Sequence, residues 1–300
     1  MALVSTRPDT CVGHYYPLHA LFNTTLMEIY RKNPKSKTYL CPMGKIYFAS
    51  DFHLGLDAKL KSKDREKLIV QWLDDIKIDA SEIFILGDIF DFWFEYKSAV
   101  PRGYIRLLGK LAEISDQKIP ITIFTGNHDM WLFDYLESEL NIPIQRSPIT
   151  IERQGKTLMI GHGDGLGPGD YKYKMLKKFF ANKACQWLFA RIHPNFGIGM
   201  ANFWSQRSRA ASTSDGKYLG PDKEWLISYC ERQLLSEPNI DYFVFGHRHL
   251  CIDYLLSNKK SRYINTGEWL YNQSYAYMEA GQLELTAYKN DSFERFSNYK

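Results

Sequence analysis

Five short apolar runs in this chain, Ile46–Ala49, Ile83–Leu86, Ile121–Thr125, Leu158–Ile160 and Tyr242–Phe245, each break off into a polar turn built from Gly, Asp, Asn or His. Helical periodicities over Asp64–Ile76, Arg102–Ser115 and Asp222–Leu235 fall between them. Strands that end in tight polar loops, alternating with helices, describe an α/β sheet with its functional site along one edge. After Cys251 the chain alternates as short hairpin-like strands ending with Leu283–Tyr288. Residues from about Tyr171 to Asp222 break the rhythm and read as a helical insertion. The expected division is an extension over 1–43, a catalytic domain over 44–290 carrying a helical cap at about 171–222, and a tail over 291–300.

The turns carry the chemistry. Asp51-Phe52-His53 follows the first strand, and in an extended backbone residues i and i+2 share a side, so both reach one ion. In Gly87-Asp88-Ile89-Phe90-Asp91 the glycine permits a sharp turn and presents Asp88, whose two oxygens suit bridging two cations. Gly126-Asn127-His128-Asp129 offers a neutral amide oxygen, although Asn127 could equally cap a following helix. Gly161-His162-Gly163-Asp164-Gly165 and Gly246-His247-Arg248-His249 add imidazoles, the latter pair again at i, i+2. Each motif alone is as compatible with an ordinary turn or a structural histidine. Five successive strand ends delivering ligand-capable residues are far better explained by one site. An O and N donor set without thiolate suits Mn²⁺, with Fe or Zn also accepted.

Three hundred residues, 45% hydrophobic and 24% charged, suit one large globular domain with an insertion. No apolar run is long enough to span a bilayer, and no secretory leader is visible at the N-terminus. The five cysteines are scattered without a CxxC pair, which argues against a disulfide framework and for a cytoplasmic setting. The net charge of +4 is concentrated. Tyr171 to Ser214 holds no acidic residue and eight basic ones, leaving 30 basic against 34 acidic residues elsewhere. This segment also carries Met175/Phe179 and Leu176/Phe180 at i, i+4, then Trp187, Leu188, Phe189, Phe196 and Phe203. Such a segment fits a lipid-bearing anion or an anionic membrane surface on which the protein lies. It fits nucleic acid poorly, because its cations are set among aliphatic and aromatic residues and not along a polar groove. Part of the same surface must simply pack on the core.

In order, the motifs D-x-H, G-D-x-x-D, G-N-H-D, G-H-G-D and G-H-x-H resemble the calcineurin-like metallophosphoesterases over residues 45 to 290. The resemblance implies a four-layer αββα sandwich and two divalent ions. Asp51, His53, Asp88 and His249 would hold one ion; Asp88, Asn127, His162 and His247 would hold the other. Such a pair activates the water that attacks phosphorus in line. His128 would contact the phosphate and protonate the leaving oxygen, with Asp91 orienting it.

The wording around Asp51–Leu54, Ile85–Asp91 and Gly161–Asp164 is similar to the UDP-2,3-diacylglucosamine pyrophosphatases, which cleave that lipid to UMP and a lipid 1-phosphate. That family also carries a basic, apolar helical cap. It implies substrate contacts at Asn127, His128, Asp170, Ser205, Arg209 and His247, and a peripheral place at the inner membrane. The chain departs from it in reading His128 where members commonly carry Arg, and Arg209 and Ser212 where they carry Asn and Lys. A general phosphodiesterase or a soluble nucleotide phosphatase is the alternative specificity. A non-catalytic scaffold is disfavoured because no ligand is lost. Composition leaves the oligomeric state open.

Overall fold

The computed structural model describes residues 44–168, 171–211 and 218–299. The expected extension over 1–43 lies outside the described residues.

Strand patterning builds the architecture. The first sheet contains β1 (Lys45–Ala49), β2 (Ala80–Ile85), β3 (Ile121–Phe124), β4 (Ile144–Gln145), β10 (Ser274–Glu279) and β11 (Gln282–Ala287), in the order β11-β10-β1-β2-β3-β4. The second contains β5 (Ile149–Arg153), β6 (Lys156–Ile160), β7 (Tyr242–Phe245), β8 (Cys251–Leu255), β9 (Arg262–Thr266) and β12 (Phe296–Ser297), in the order β12-β8-β9-β7-β6-β5. Successive side chains alternate faces. Ile46, Phe48, Phe84 and Phe124 therefore meet Leu158, Ile160, Tyr242 and Val244 between the sheets. Phe48 and Phe84 stack there with ring centroids 5.3 Å apart.

The opposite faces take helices. Tyr47, Ala49, Ile83, Ile85 and Ile123 pack against α1 (Ser62–Ile76) and α2 (Ile105–Asp116) through Ile69, Trp72, Leu107 and Leu111. A short α3 (Tyr135–Leu140) adds Leu136 to this layer. Phe243, Phe245 and Tyr263 pack against α7 (Trp225–Ser236) through Leu226, Ile227 and Cys230. The result is helix, sheet, sheet, helix, as the motif order implies.

The insertion forms three helices, α4 (Tyr171–Ala181), α5 (Lys183–Phe189) and α6 (Pro194–Ala211). It is anchored by Phe189, packed with Phe94 and Trp131, while Trp131 Nε1 donates to Phe180 O at 2.8 Å. Asn182 caps α5 by accepting from Ala184 N and Cys185 N. Much of the remaining apolar surface is exposed: Met175, Phe179, Trp187, Leu188, Phe196 and Phe203 are all more than half accessible. Among the described residues no helix is long and apolar enough to cross a membrane.

Two of the helix starts are later than the periodicity suggests. The helix expected from Arg102 starts at Ile105, because Gly103 and Tyr104 have φ of 113° and 60° and break the turn. The helix expected from Asp222 starts at Trp225, after a 3-10 turn over Pro221–Lys223. The tail is not a loose end. Its β12 pairs in parallel with β8, and Arg295 lies 3.8 Å from the buried Asp253.

Candidate metal centre

All five ligand-bearing turns converge at the same end of the sandwich. The reason offered by spacing alone is incorrect, however. Asp51 and His53 are not extended; their φ values are 56° and 45°, and His247 and His249 have 69° and 53°. Asp88 is left-handed too, with φ of 52°. Non-glycine residues in this region are strained, and such strain concentrates at sites where geometry serves function. The turns also split the two histidines of the last motif. His249 Nε2 lies 3.2 Å from Asp51 Oδ1 and 3.0 Å from His53 Nε2. His247 goes to the other side, with Nδ1 2.8 Å from Asn127 Oδ1, which is itself 3.2 Å from His162 Nε2.

Asp88 joins the halves. Its Oδ2 lies 3.8 Å from His53 Nε2 and 3.4 Å from His162 Nε2, while Oδ1 accepts the His128 N–H at 2.8 Å. One carboxylate oxygen, not two, thus faces both halves. The ligand-capable atoms fall into three groups: Asp51, His53 and His249; His53, Asp88 and His128; Asp88, His162 and His247. His128 Nδ1 lies 3.0 Å from the Asp91 carbonyl oxygen and 3.8 Å from Asp91 Oδ1, so the main chain of Asp91 is its nearer partner. The Asp91 carboxylate also lies 3.6 Å from His53 Nδ1.

The glycines before the ligands are required by close approach. Gly87 has φ of 93°, and a Cβ there would lie 2.7 Å from His162 Nδ1 and from Gly126 N. At Gly246 a Cβ would lie 2.6 Å from Asp51 Oδ2.

Burial would lower the His162 pKa, but Asp88, Asp51 and Asp164 outweigh it and raise it to about 10. Burial holds His128 and His247 down at about 4. Buried imidazoles and carboxylates at these separations balance charge by sharing protons, which a bound cation replaces. Two imidazole nitrogens 3.0 Å apart likewise suit a shared cation. Every atom in the three groups is O or N, and the free thiols Cys185, Cys230 and Cys251 belong to none of them. The donor set therefore fits hard or borderline divalent ions.

Several residues that sequence reasoning did not assign build the site. Asp129 is fully buried and accepts from Gly126 N at 2.7 Å and Ile89 N at 2.7 Å, tying the second turn to the third. Its burial and the charge of Asp88 raise its pKa to about 7. Contiguity with His128 in the third motif was its signal. Arg65 on α1 donates to the carbonyls of Phe52, His53, Leu56 and Leu60, closing the loop that carries Asp51 and His53. Nothing in the sequence marks it. Asp164 accepts from Lys177 Nζ at 2.6 Å and Tyr173 OH at 2.7 Å, which fastens α4 to the fourth turn. Arg248 Nε donates at 2.8 Å to Glu224, which is 2% exposed and stands at the start of α7. Glu224→Gln removes the charge opposing Arg248 and is expected to cost about 1–2 kcal/mol. Thermal unfolding should read this as a fall of roughly 2–8 °C.

Of the expected substrate contacts, Asn127, His128 and His247 stand at the centre. Asp170 lies outside the described residues, as does Ser212. Ser205 and Arg209 fall on α6, where the helix is described but these side chains are not.

Residues 44–251 match the family model for calcineurin-like phosphoesterase. A UDP-2,3-diacylglucosamine hydrolase of Porphyromonas gingivalis is 36% identical over 257 residues, 80% of this chain and 96% of that one. One of the same name from Histophilus somni is 24% identical over 69% of this chain and 85% of its own. Among solved structures, Yfce, a phosphoesterase from E. coli, aligns with a TM-score of 0.40 at 17% identity, covering 81% of this chain and 92% of that one.

Proposed function

Because the chain belongs to the calcineurin-like phosphoesterase family, we propose that it is a two-ion pyrophosphatase hydrolysing UDP-2,3-diacylglucosamine to UMP and 2,3-diacylglucosamine 1-phosphate. Asp51, His53, Asp88 and His249 would hold one ion, and Asp88, Asn127, His162 and His247 the other. Mn²⁺ is the native ion on this reading. When bound, the two ions neutralise phosphoryl oxygens and supply an activated water.

The chain's own residues do the rest. With Nδ1 directed to the Asp91 carbonyl, His128 would offer its Nε2 to the phosphate. Burial keeps the imidazole neutral at rest, and an arriving phosphate anion favours its protonated form. In that form it clamps a phosphoryl oxygen, the role for which relatives commonly carry Arg, and can give a proton to the leaving oxygen. Arg65 and Asp129 keep the two Asp-bearing turns in register, so little reorganisation accompanies the reaction.

The observation that carries the substrate is the cap: an acid-free helical segment fastened beside the centre through Asp164, Lys177 and Tyr173, with Met175, Phe179, Trp187, Leu188, Phe196 and Phe203 exposed. It is supported by the P. gingivalis relative, matched over nearly its whole length. The exposed face of α4–α6, with Phe179, Trp187, Leu188 and Phe203, docks the protein on the anionic cytoplasmic surface of the inner membrane. Acyl dependence is the test. UDP-2,3-diacylglucosamine should be turned over far faster than its deacylated counterpart, and activity should respond to detergent or vesicles. Equal rates on the two would favour a soluble-substrate phosphodiesterase.

A further inference from the structure

Next to His162 a cleft of about 750 Å³ opens between α4 and the link joining β4 to β5. Its volume is in the range of small-molecule sites. Four cations line it, Arg146, Lys174, Lys177 and Lys178, against the single carboxylate of Asp164. That carboxylate is already committed to Lys177 and Tyr173. Arg146 and Lys174 donate to the carbonyl oxygens of Leu132 and Gly167, which are neutral and leave their charges uncompensated. Lys178 is exposed. The cleft thus holds positive charge in excess, at the edge of the centre. The rest of its lining is largely apolar and includes the aromatic ring of Tyr171 with Phe124, Pro148, Leu166 and Met175.

We infer that this cleft seats the nucleotide half of the substrate, with the phosphate reaching His162 and the base lying against Tyr171 and Pro148. The inference rests on the pyrophosphatase reading above and assigns the substrate's two ends to opposite sides of Asp88. A diphosphate cut at the centre must straddle it. The His162 side opens into a cleft with positive charge in excess and apolar walls that include the Tyr171 ring, which suits the phosphate and the base of a nucleoside monophosphate. The exposed apolar residues of the cap that do not line this cleft, Phe179, Trp187 and Phe203, remain for the lipid half.

Calorimetric titration of the Mn²⁺-loaded protein with UMP, with 2,3-diacylglucosamine 1-phosphate and with inorganic phosphate tests this. Lys178→Glu is expected to weaken UMP about tenfold, the scale of one lost charge-assisted contact, while the lipid product binds as before. Tyr171→Ala should weaken UMP but not phosphate. Lys63→Glu, on α1, is the control for net charge and should change neither. No UMP binding by the unmodified protein, unchanged UMP binding in both cleft variants, or a loss for the lipid product in place of UMP would each overturn the assignment. So would equal losses of UMP and phosphate in Tyr171→Ala. Failure of the substrate reading is seen separately. If the unmodified protein releases no UMP from the diacylated nucleotide sugar while the titrations behave as expected, the cleft stands as a nucleotide site and the pyrophosphatase reading falls.

Discussion

Asp88→Ala is expected to lower turnover of an aryl phosphodiester by about a thousandfold or more, with loss of bound metal. The reason is position. Asp88 Oδ2 is the carboxylate oxygen that faces both halves of the centre, 3.8 Å from His53 and 3.4 Å from His162. On the proposed assignment, removing it would take a ligand from both ions together and leave several buried imidazoles without their counter-charge. Metal catalysis contributes several kcal/mol of transition-state stabilisation, and each ~1.4 kcal/mol is tenfold in rate. The fold should survive, because the second Asp88 oxygen contributes one backbone hydrogen bond, from His128 N. Turnover measured beside elemental analysis of the same preparation checks both parts. Activity within tenfold of the unmodified protein, at full metal content, would remove Asp88 from the centre.

Arg65→Ala carries the largest expected cost in stability, about 3–5 kcal/mol, and a large fall in activity with it. Arg65 is wholly buried and satisfies four carbonyl oxygens of the loop between β1 and α1. Alanine would take the arginine's bonds from the Phe52 and Leu56 carbonyls, leave His53 O and Leu60 O only their backbone donors Leu56 N and Ala58 N, and remove the buried side chain beneath the loop. The loop is also where Asp51 and His53 are held at positive φ, a conformation that persists only while its surroundings enforce it. A midpoint lowered by roughly 10 °C is expected for a domain of this size. Arg65→Lys should recover only part of the loss, since one ammonium cannot replace a guanidinium that bonds through all three nitrogens. A midpoint within two or three degrees of the parent would mean that the loop holds itself.

The contrast between these two residues explains how much of the site could be read from the chain. Asp88, with Asn127, His162 and the two histidines of the last turn, is legible because each sits in a contiguous motif directly after an apolar strand. The strands too are legible: Ile46–Ala49 and Tyr242–Phe245 are short apolar runs that the sheets bury on both faces. Arg65 is a helical arginine among lysines and acids, and its role exists only once α1 folds back over the loop before it. Conformation was likewise hidden. The i, i+2 spacing of His247 and His249 reads as two ligands aimed one way, whereas left-handed backbone at both sends them to opposite halves. Strand β5, Ile149–Arg153, escaped notice because it is an edge strand with alternating partial burial and no ligand at its end.

The cap illustrates a different limit. Its charge and apolarity are evident from composition, yet which cations serve the fold depends on three-dimensional pairing. Lys177 is bound to Asp164, and Arg191 lies over the Trp187 ring at 4.7 Å. The surface left for a lipid anion is therefore smaller than the sequence count of eight basic residues implies.

The central claim is that this centre, with this cap, cleaves a lipid-linked nucleotide diphosphate. Incubation of the purified protein with UDP-2,3-diacylglucosamine and Mn²⁺, followed by mass-spectrometric identification of products, tests it most directly. The expected result is stoichiometric UMP and 2,3-diacylglucosamine 1-phosphate, absent with Asp88→Ala. Intact substrate, from a preparation that readily hydrolyses a simple aryl phosphodiester, would contradict it.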